Sequence, residues 1–193
     1  MQIDKLFDSF KEIKVGVIGD VMLDSYMWGH VERISPEAPV PIVSLHKKEY
    51  RIGGAGNVAL NLASLGVQTS VISVVGNDDD GFMLKKMFAE SNIDTNHLLM
   101  SSKRITTNKM RVISRNQQMM RLDSEITDEL NSVDEQNLFN AASEFIKKEK
   151  PAVIIFEDYN KGVLKESLIA SIIDLCSVIS KKEYFSSYSC KPI

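Results

Sequence analysis

Three short, apolar-rich stretches constrain this chain more than anything else in it. They are Ile13 to Ile18, Thr69 to Val75 and the uninterrupted run Ala152-Val-Ile-Ile-Phe156. Stretches of this length and composition suit strands buried on both faces, as in the middle of a parallel sheet. Helical patterns separate them. Asn57 to Leu65 places Val58, Leu62 and Leu65 on one stripe, and Gly81 to Ser91 carries Phe82, Met83, Met87 and Phe88. Ser132-Val-Asp-Glu135 is a capping-box pattern opening a helix to Lys148, and Ser167 to Cys176 turns Leu168, Ile169, Ile172, Ile173 and Cys176 inward. Strand, helix, strand, helix is the rhythm of an α/β domain with helices on both faces of its sheet. Ile3 to Phe10 adds an amphipathic helix in front.

Two interruptions break that rhythm. Ser25 to Val31 is rich in strand formers, and Val40 to Leu45 is a second extended run after the proline-punctuated Ser35-Pro-Glu-Ala-Pro-Val-Pro41. Strands inserted between the first core strand and the first long helix predict a flap, placed to cover a pocket or to pair with a second copy of itself. The second interruption, Thr106 to Arg115, alternates with period two. Lys109, Arg111, Ile113 and Arg115 share one face, and a turn through Asn116-Gln117 leads back along Met119 to Asp123. Together these segments, about 24–50 and 106–123, form a β lid. Successive cations on such a strand stand about 7 Å apart, so an anion fits between them. The same lysine and arginine set also guards a solvent-facing strand against edge pairing.

The glycine-rich turn Arg51-Ile-Gly-Gly-Ala-Gly-Asn-Val-Ala59 lies between flap and helix. Gly53, Gly54 and Gly56 let a ligand approach the backbone, Asn57 is placed to cap the helix, and Gly66 sits where a helix-ending glycine belongs. The uncompensated N–H groups of the first turn favour bound oxygens. Gly54-x-Gly56-x-x-Ala59 also satisfies the loose dinucleotide fingerprint, with Asp78 and Asp79 supplying the acid about 20 residues on. That fingerprint requires a buried strand in front, and His46-Lys-Lys-Glu-Tyr-Arg51 is too charged to be one. Asp20 and Asp24 follow the carboxyl end of the first strand, the edge at which open α/β sheets bind ligands. Asp20 reads as a solvated turn acid and Asp24 as a ligand-facing one. Glu157-Asp-Tyr-Asn-Lys-Gly162 falls on the same edge.

Composition narrows the function classes. With 193 residues, 44% hydrophobic and a net charge of -3 without a basic block, the chain is expected to bury a core and to take neither nucleic acid nor an anionic membrane as partner. Its apolar runs are too short to span a bilayer, and Met1 to Phe10 carries Asp4, Lys5 and Asp8 where a signal peptide would be apolar, so a cytoplasmic protein is expected. Cys176 and Cys190 lack spacing partners, and His30, His46 and His97 are scattered. Neither a disulfide nor a metal site is predicted.

In order along the chain, five segments resemble the ribokinase-like (phosphofructokinase-B) sugar kinases. They are Gly19-Asp-Val-Met-Leu-Asp24, Arg33-Ile-Ser-Pro-Glu-Ala-Pro-Val-Pro41, Gly53-Gly-Ala-Gly-Asn-Val-Ala59, Ser114-Arg-Asn-Gln-Gln118 with Arg121-Leu-Asp123, and Asp158-Tyr-Asn-Lys-Gly162. The likeness is closest to the heptose 7-phosphate kinase domains of bifunctional kinase/adenylyltransferases. It implies a Rossmann-like core with a β lid and ATP and Mg²⁺ as co-substrates. The implied reaction is phosphoryl transfer to the anomeric hydroxyl of D-glycero-D-manno-heptose 7-phosphate, toward ADP-heptose for lipopolysaccharide cores.

By that resemblance Asp24 holds sugar hydroxyls, with Gly53, Gly54 and Asn57 as the second sugar-binding motif. Lys109, Arg111 and Arg115 become candidates for the 7-phosphate, and Asp158 and Lys161 face the phosphoryl-transfer region. The sequence departs from the family in lacking its Gly-x-Gly-Asp motif, which carries the catalytic base and an anion hole, and its Asn-x-x-Glu motif. No catalytic residue is therefore assigned, and 1–176 is expected to be the N-terminal portion of a kinase domain without turnover of its own. Ser177 to Ile193 lacks a strand or helix period. A shifted reading frame over Lys181 to Ser187 would encode a more strand-like run, which the adjoining nucleotide sequence can check.

Overall fold

The computed structural model describes residues 3–179 and 185–190. The three apolar stretches form β1 (Lys14–Gly19), β4 (Gln68–Gly76) and β8 (Val153–Asp158), adjacent and parallel at the centre of one sheet. Val17 pairs with Val71 on one side and with Ile155 on the other. The sheet is completed by β5 (Leu98–Ser101) and β9 (Phe185–Cys190), in the order β5-β4-β1-β8-β9.

Strand alternation sends consecutive residues of β1 into two separate cores. Ile18 packs with Ile72, Leu138, Phe145, Phe156 and Ile172, beneath α4 (Ser132–Glu149) and α5 (Glu166–Ile179). Val17 packs with Val71, Leu84 and Phe88 on the opposite face, beneath α2 (Ala55–Ser64) and α3 (Asp79–Glu90). Helices thus cover both faces, as the strand–helix rhythm predicts. Each fully buried Phe or Ile contributes about 1.5–3 kcal/mol by leaving water. A short amphipathic helix, α1 (Ile3–Phe10), precedes β1.

The lid is a second sheet, larger than its sequence pattern suggests. β2 (Val21–Ile34) and β3 (Pro41–Gly54) form an antiparallel hairpin of two 14-residue strands, beside β6 (Asn108–Ser114) and β7 (Gln117–Ser124), in the order β3-β2-β6-β7. The charged segment His46 to Arg51 is the middle of β3. It is not a buried central strand, as its charge requires, but the backbone ladder to β2 makes it a strand all the same.

Several local expectations are corrected. Asn57 does not cap α2: Gly54 occupies the cap position, with no side-chain bond, and Asn57 lies inside the first turn. That helix buries Ala55, Gly56 and Ala59 while Leu65 stays exposed, because small residues allow close approach to the sheet. The cap of α4 is Asn131, whose Oδ1 accepts the N–H groups of Val133 and Asp134, one residue before the predicted Ser132. Phe82 is exposed and Leu84 is buried instead. Gly66, at φ +89°, follows α2 as predicted.

In the tail, α5 continues through Ser177 to Ile179. Residues 185–190 form β9 although no strand period is legible there, because parallel backbone pairing with β8 supplies the ladder, from Val153↔Phe185 to Asp158↔Cys190. The predicted frame shift from Lys181 onward lies largely outside the described residues.

Candidate functional site

The carboxyl ends of β1 and β8 meet the base of the lid, and one acid organises the junction. Asp20, expected to be a solvated turn acid, is 1% exposed. Its Oδ2 accepts the N–H groups of Tyr159 (2.7 Å) and Lys161 (3.1 Å), and its Oδ1 accepts that of Val163 (3.2 Å). Its carbonyl accepts the N–H of Ala55 at 2.9 Å. Burial raises the Asp20 carboxyl above the ordinary carboxylate range, against the pull of the three N–H donors. Asp20 thereby fastens the glycine turn and the loop after β8 to one point.

Four residues later, the chain has entered the lid and Asp24 faces a cavity of about 360 Å³. Strand alternation directs Met22, Asp24 and Tyr26 of β2 to this side, with Arg51 and Gly53 of β3 and Lys109 and Arg111 of β6 beside them in register. Gly54, Asn57 and Tyr159 complete much of the lining. Six of the seven residues assigned to substrate binding from the sequence therefore converge on one cavity: Asp24, Gly53, Gly54, Asn57, Lys109 and Arg111. Gly54 adopts φ +59°, and a Cβ there would collide with the Asp20 carbonyl. At Gly53 a Cβ would stand 2.5 Å from Asp24 Oδ2, so glycine is what leaves that oxygen room.

Arg115 is the exception. The register slips between Val112 and Ile113, and Arg115 and Asn116 become the two turn residues joining β6 to β7, both with positive φ (47° and 63°). Arg115 therefore leaves the face that Lys109 and Arg111 share and does not line the cavity.

Asp158 and Lys161 do not line it either, although Tyr159 between them does. Asp158 Oδ1 accepts the N–H of Asn160, and the Lys161 ammonium donates to Glu125 at 2.9 Å, at the exit of the lid. Arg104 reinforces that contact. Its guanidinium donates to the carbonyls of Ile126, Asp128 and Lys161, bridging the lid exit and the loop after β8. Burial lowers the Arg104 pKa from the ordinary arginine value, and Asp20, Asp134 and Asp128 oppose that shift.

Sequence reasoning missed Tyr26 and Arg51. The Arg51 guanidinium lies 4.7 Å from the centroid of the Tyr26 ring and that of Arg111 lies 5.3 Å from it, so one aromatic ring orients two cations. Arg51 was hidden in a segment whose charge disguised a strand. The alternation of Tyr26 with Asp24 was the available signal. Three cations against one carboxylate on the lid face give the cavity a positive balance that suits an anionic ligand.

Known proteins share this fold, and some share much of the sequence. The family model described as pfkB family carbohydrate kinase matches residues 12–184. A protein of Trichlorobacter lovleyi named Bifunctional protein HldE is 42% identical over 175 residues, covering 91% of this chain and 35% of its own. Its namesake in Methylobacillus flagellatus is 46% identical over 157 residues, covering 81% and 32%. The chain thus spans about a third of the length of these curated relatives. Among solved structures, the tetrameric inhibited form of phosphofructokinase-2 from Escherichia coli superposes with a TM-score of 0.60 at 17% identity, covering 86% of this chain and 52% of that one. Arabidopsis thaliana ribokinase complexed with ribose and ATP gives a TM-score of 0.59 at 12% identity, covering 85% and 50%. At such identities the structures speak for the fold, while the family model and the relatives speak for descent. The chain belongs to the pfkB family of carbohydrate kinases.

Proposed function

We propose that this chain carries the sugar-binding half of an ATP-dependent kinase acting on the anomeric hydroxyl of D-glycero-D-manno-heptose 7-phosphate. The observation that carries this reading is the single cavity in which Asp24, Gly53 and Asn57 meet the lid cations Lys109 and Arg111. A carboxylate beside a glycine turn accepts sugar hydroxyls, and a cation on the neighbouring lid strand can meet a phosphate on the same molecule. The heptose comes from the resemblance of the five motifs, and the relatives at 42–46% identity support it.

ATP would approach from the loop after β8, where Asp158 and Lys161 lie. Mg²⁺ in such sites is held largely by the nucleotide's own phosphates with one or two carboxylates. Among the described residues no group of three or more His, Cys, Asp or Glu is placed to hold a metal ion. Phosphoryl transfer depends on positioning and on donors aimed at the developing charge, and the 193 residues contain no Gly-x-Gly-Asp motif to supply base and anion hole. The purified chain is therefore expected to bind heptose 7-phosphate in a calorimeter and to release no ADP in a coupled assay. Turnover by the chain alone overturns the inactivity, and absence of sugar-phosphate binding overturns the pocket assignment.

A second reading, assembly through the lid, is favoured by the lid's other face. Met27, Val112 and Met120 share one row there and Met110 and Leu122 the next, with Met120 and Leu122 about half exposed. Pairing of two lids would cover that apolar strip. No helix among the described residues is long and apolar enough to cross a membrane.

A further inference from the structure

The cations of the pocket differ in what already holds them. Arg111 Nη1 donates to Asp24 Oδ1 at 2.6 Å, with only 21% and 20% of the two side chains exposed, and it also donates to the carbonyl of Lys109 at 3.2 Å. Arg51 donates through Nε and Nη2 to Glu49 Oε1, at 2.8 and 2.6 Å. Lys109 stands between Asp24 on β2 and Asp123 on β7, but Arg121 Nε occupies the Asp123 carboxylate at 2.8 Å. The Lys109 ammonium has no ion-pair partner among the described residues.

We propose that Lys109 is the residue that reads the substrate's phosphate, whereas Arg111 is a positioning residue that aims Asp24 at the sugar. This rests on the phosphosugar reading above and assigns its specificity. Turning Arg111 toward a phosphate would leave a largely buried carboxylate without its counter-charge, which is costly. Engaging Lys109 breaks no existing pair. Arg111 takes Asp24 Oδ1 and leaves Oδ2 over Gly53, where the missing Cβ gives a hydroxyl room to donate.

Calorimetry on the chain with D-glycero-D-manno-heptose 7-phosphate and with the unphosphorylated heptose tests this, with NMR titration for the weaker ligand and thermal melts to verify folding. Lys109→Met is expected to weaken binding of the phosphorylated sugar about ten- to a hundredfold, the worth of a charge-assisted hydrogen bond, and to leave the unphosphorylated sugar unchanged. Lys109→Arg should restore the preference. Arg111→Gln should weaken both ligands by the same factor. Equal weakening of both ligands in Lys109→Met, or selective loss of the phosphorylated one in Arg111→Gln, overturns the assignment while the sugar pocket stands. A wild-type chain that binds neither ligand overturns the pocket and the assignment together.

Discussion

The central sheet and the lid are both complete hydrogen-bonded ladders, yet they are stabilised differently. In β4 every residue from Thr69 to Gly76 is buried, whereas in β7 not one is. The core strands are held by what their side chains displace from water. The lid strands are held by backbone pairing and by cross-strand neighbours such as Asp24 with Arg51 and Lys109 with Asp123. The difference teaches where change is tolerated: a face lined with charged side chains cannot also be an apolar core, so burial and charge are divided between separate sheets.

The contrast is broken most severely in the core. Phe145→Ala, at a residue 1% exposed, should cost about 3–5 kcal/mol and lower the melting temperature cooperatively for both sheets. A melt in which only the lid or only the core responds would show that the two sheets unfold independently.

Next come two carboxylates that tie the sheets together. Asp20→Asn should cost about 1–3 kcal/mol, because an amide cannot accept all three N–H groups that Asp20 accepts. Asp78→Asn should cost about 0.5–2 kcal/mol, since Asp78 caps α3 through the N–H of Gly81 and also accepts from the N–H and hydroxyl of Thr106 at the foot of the lid.

Their pH dependences have opposite signs. Burial raises the Asp20 carboxyl above its ordinary 3.8, so its contribution declines as pH rises from 3.8 through the raised value, and the Asn deficit should be largest in acid. At Asp78 burial also opposes the charge, but the hydrogen bonds from Thr106 and Gly81 outweigh it and the pKa is lowered. Its contribution is complete above 3.8 and is lost as pH falls through the lowered value, so this deficit should be largest near neutrality. Melts of both variants between acid and neutral pH should diverge; parallel slopes would refute this assignment.

The smallest effect belongs to the lid's apolar strip. Met120→Ser, at a residue 53% exposed, should move stability by no more than about 0.5 kcal/mol while weakening any association through the lid, which sedimentation at two concentrations would report.

Much of this was legible because burial leaves a compositional trace. Ala152 to Phe156 declares itself as a central strand, and the alternation of Lys109 with Arg111 declares a shared face. What was not legible depends on partners far along the chain. Asp20 and Asp24 are the same residue type in the same stretch, and only N–H donors some 140 residues away decide that the first is an anchor. Arg115 left its predicted face because a register slip in the β6–β7 hairpin consumes the alternation, and Leu98 to Ser101 is too short to show a period. The lid strands outran their apolar signal because a ladder needs only backbone.

The three-carbonyl grip of Arg104 has a mechanical consequence. A flat guanidinium bonded at once to Ile126, Asp128 and Lys161 makes the outgoing hinge of the lid and the segment bearing Asp158 a single lever. Any rotation of the lid about that hinge must drag the segment along or tear the fork away, so the two travel as one piece.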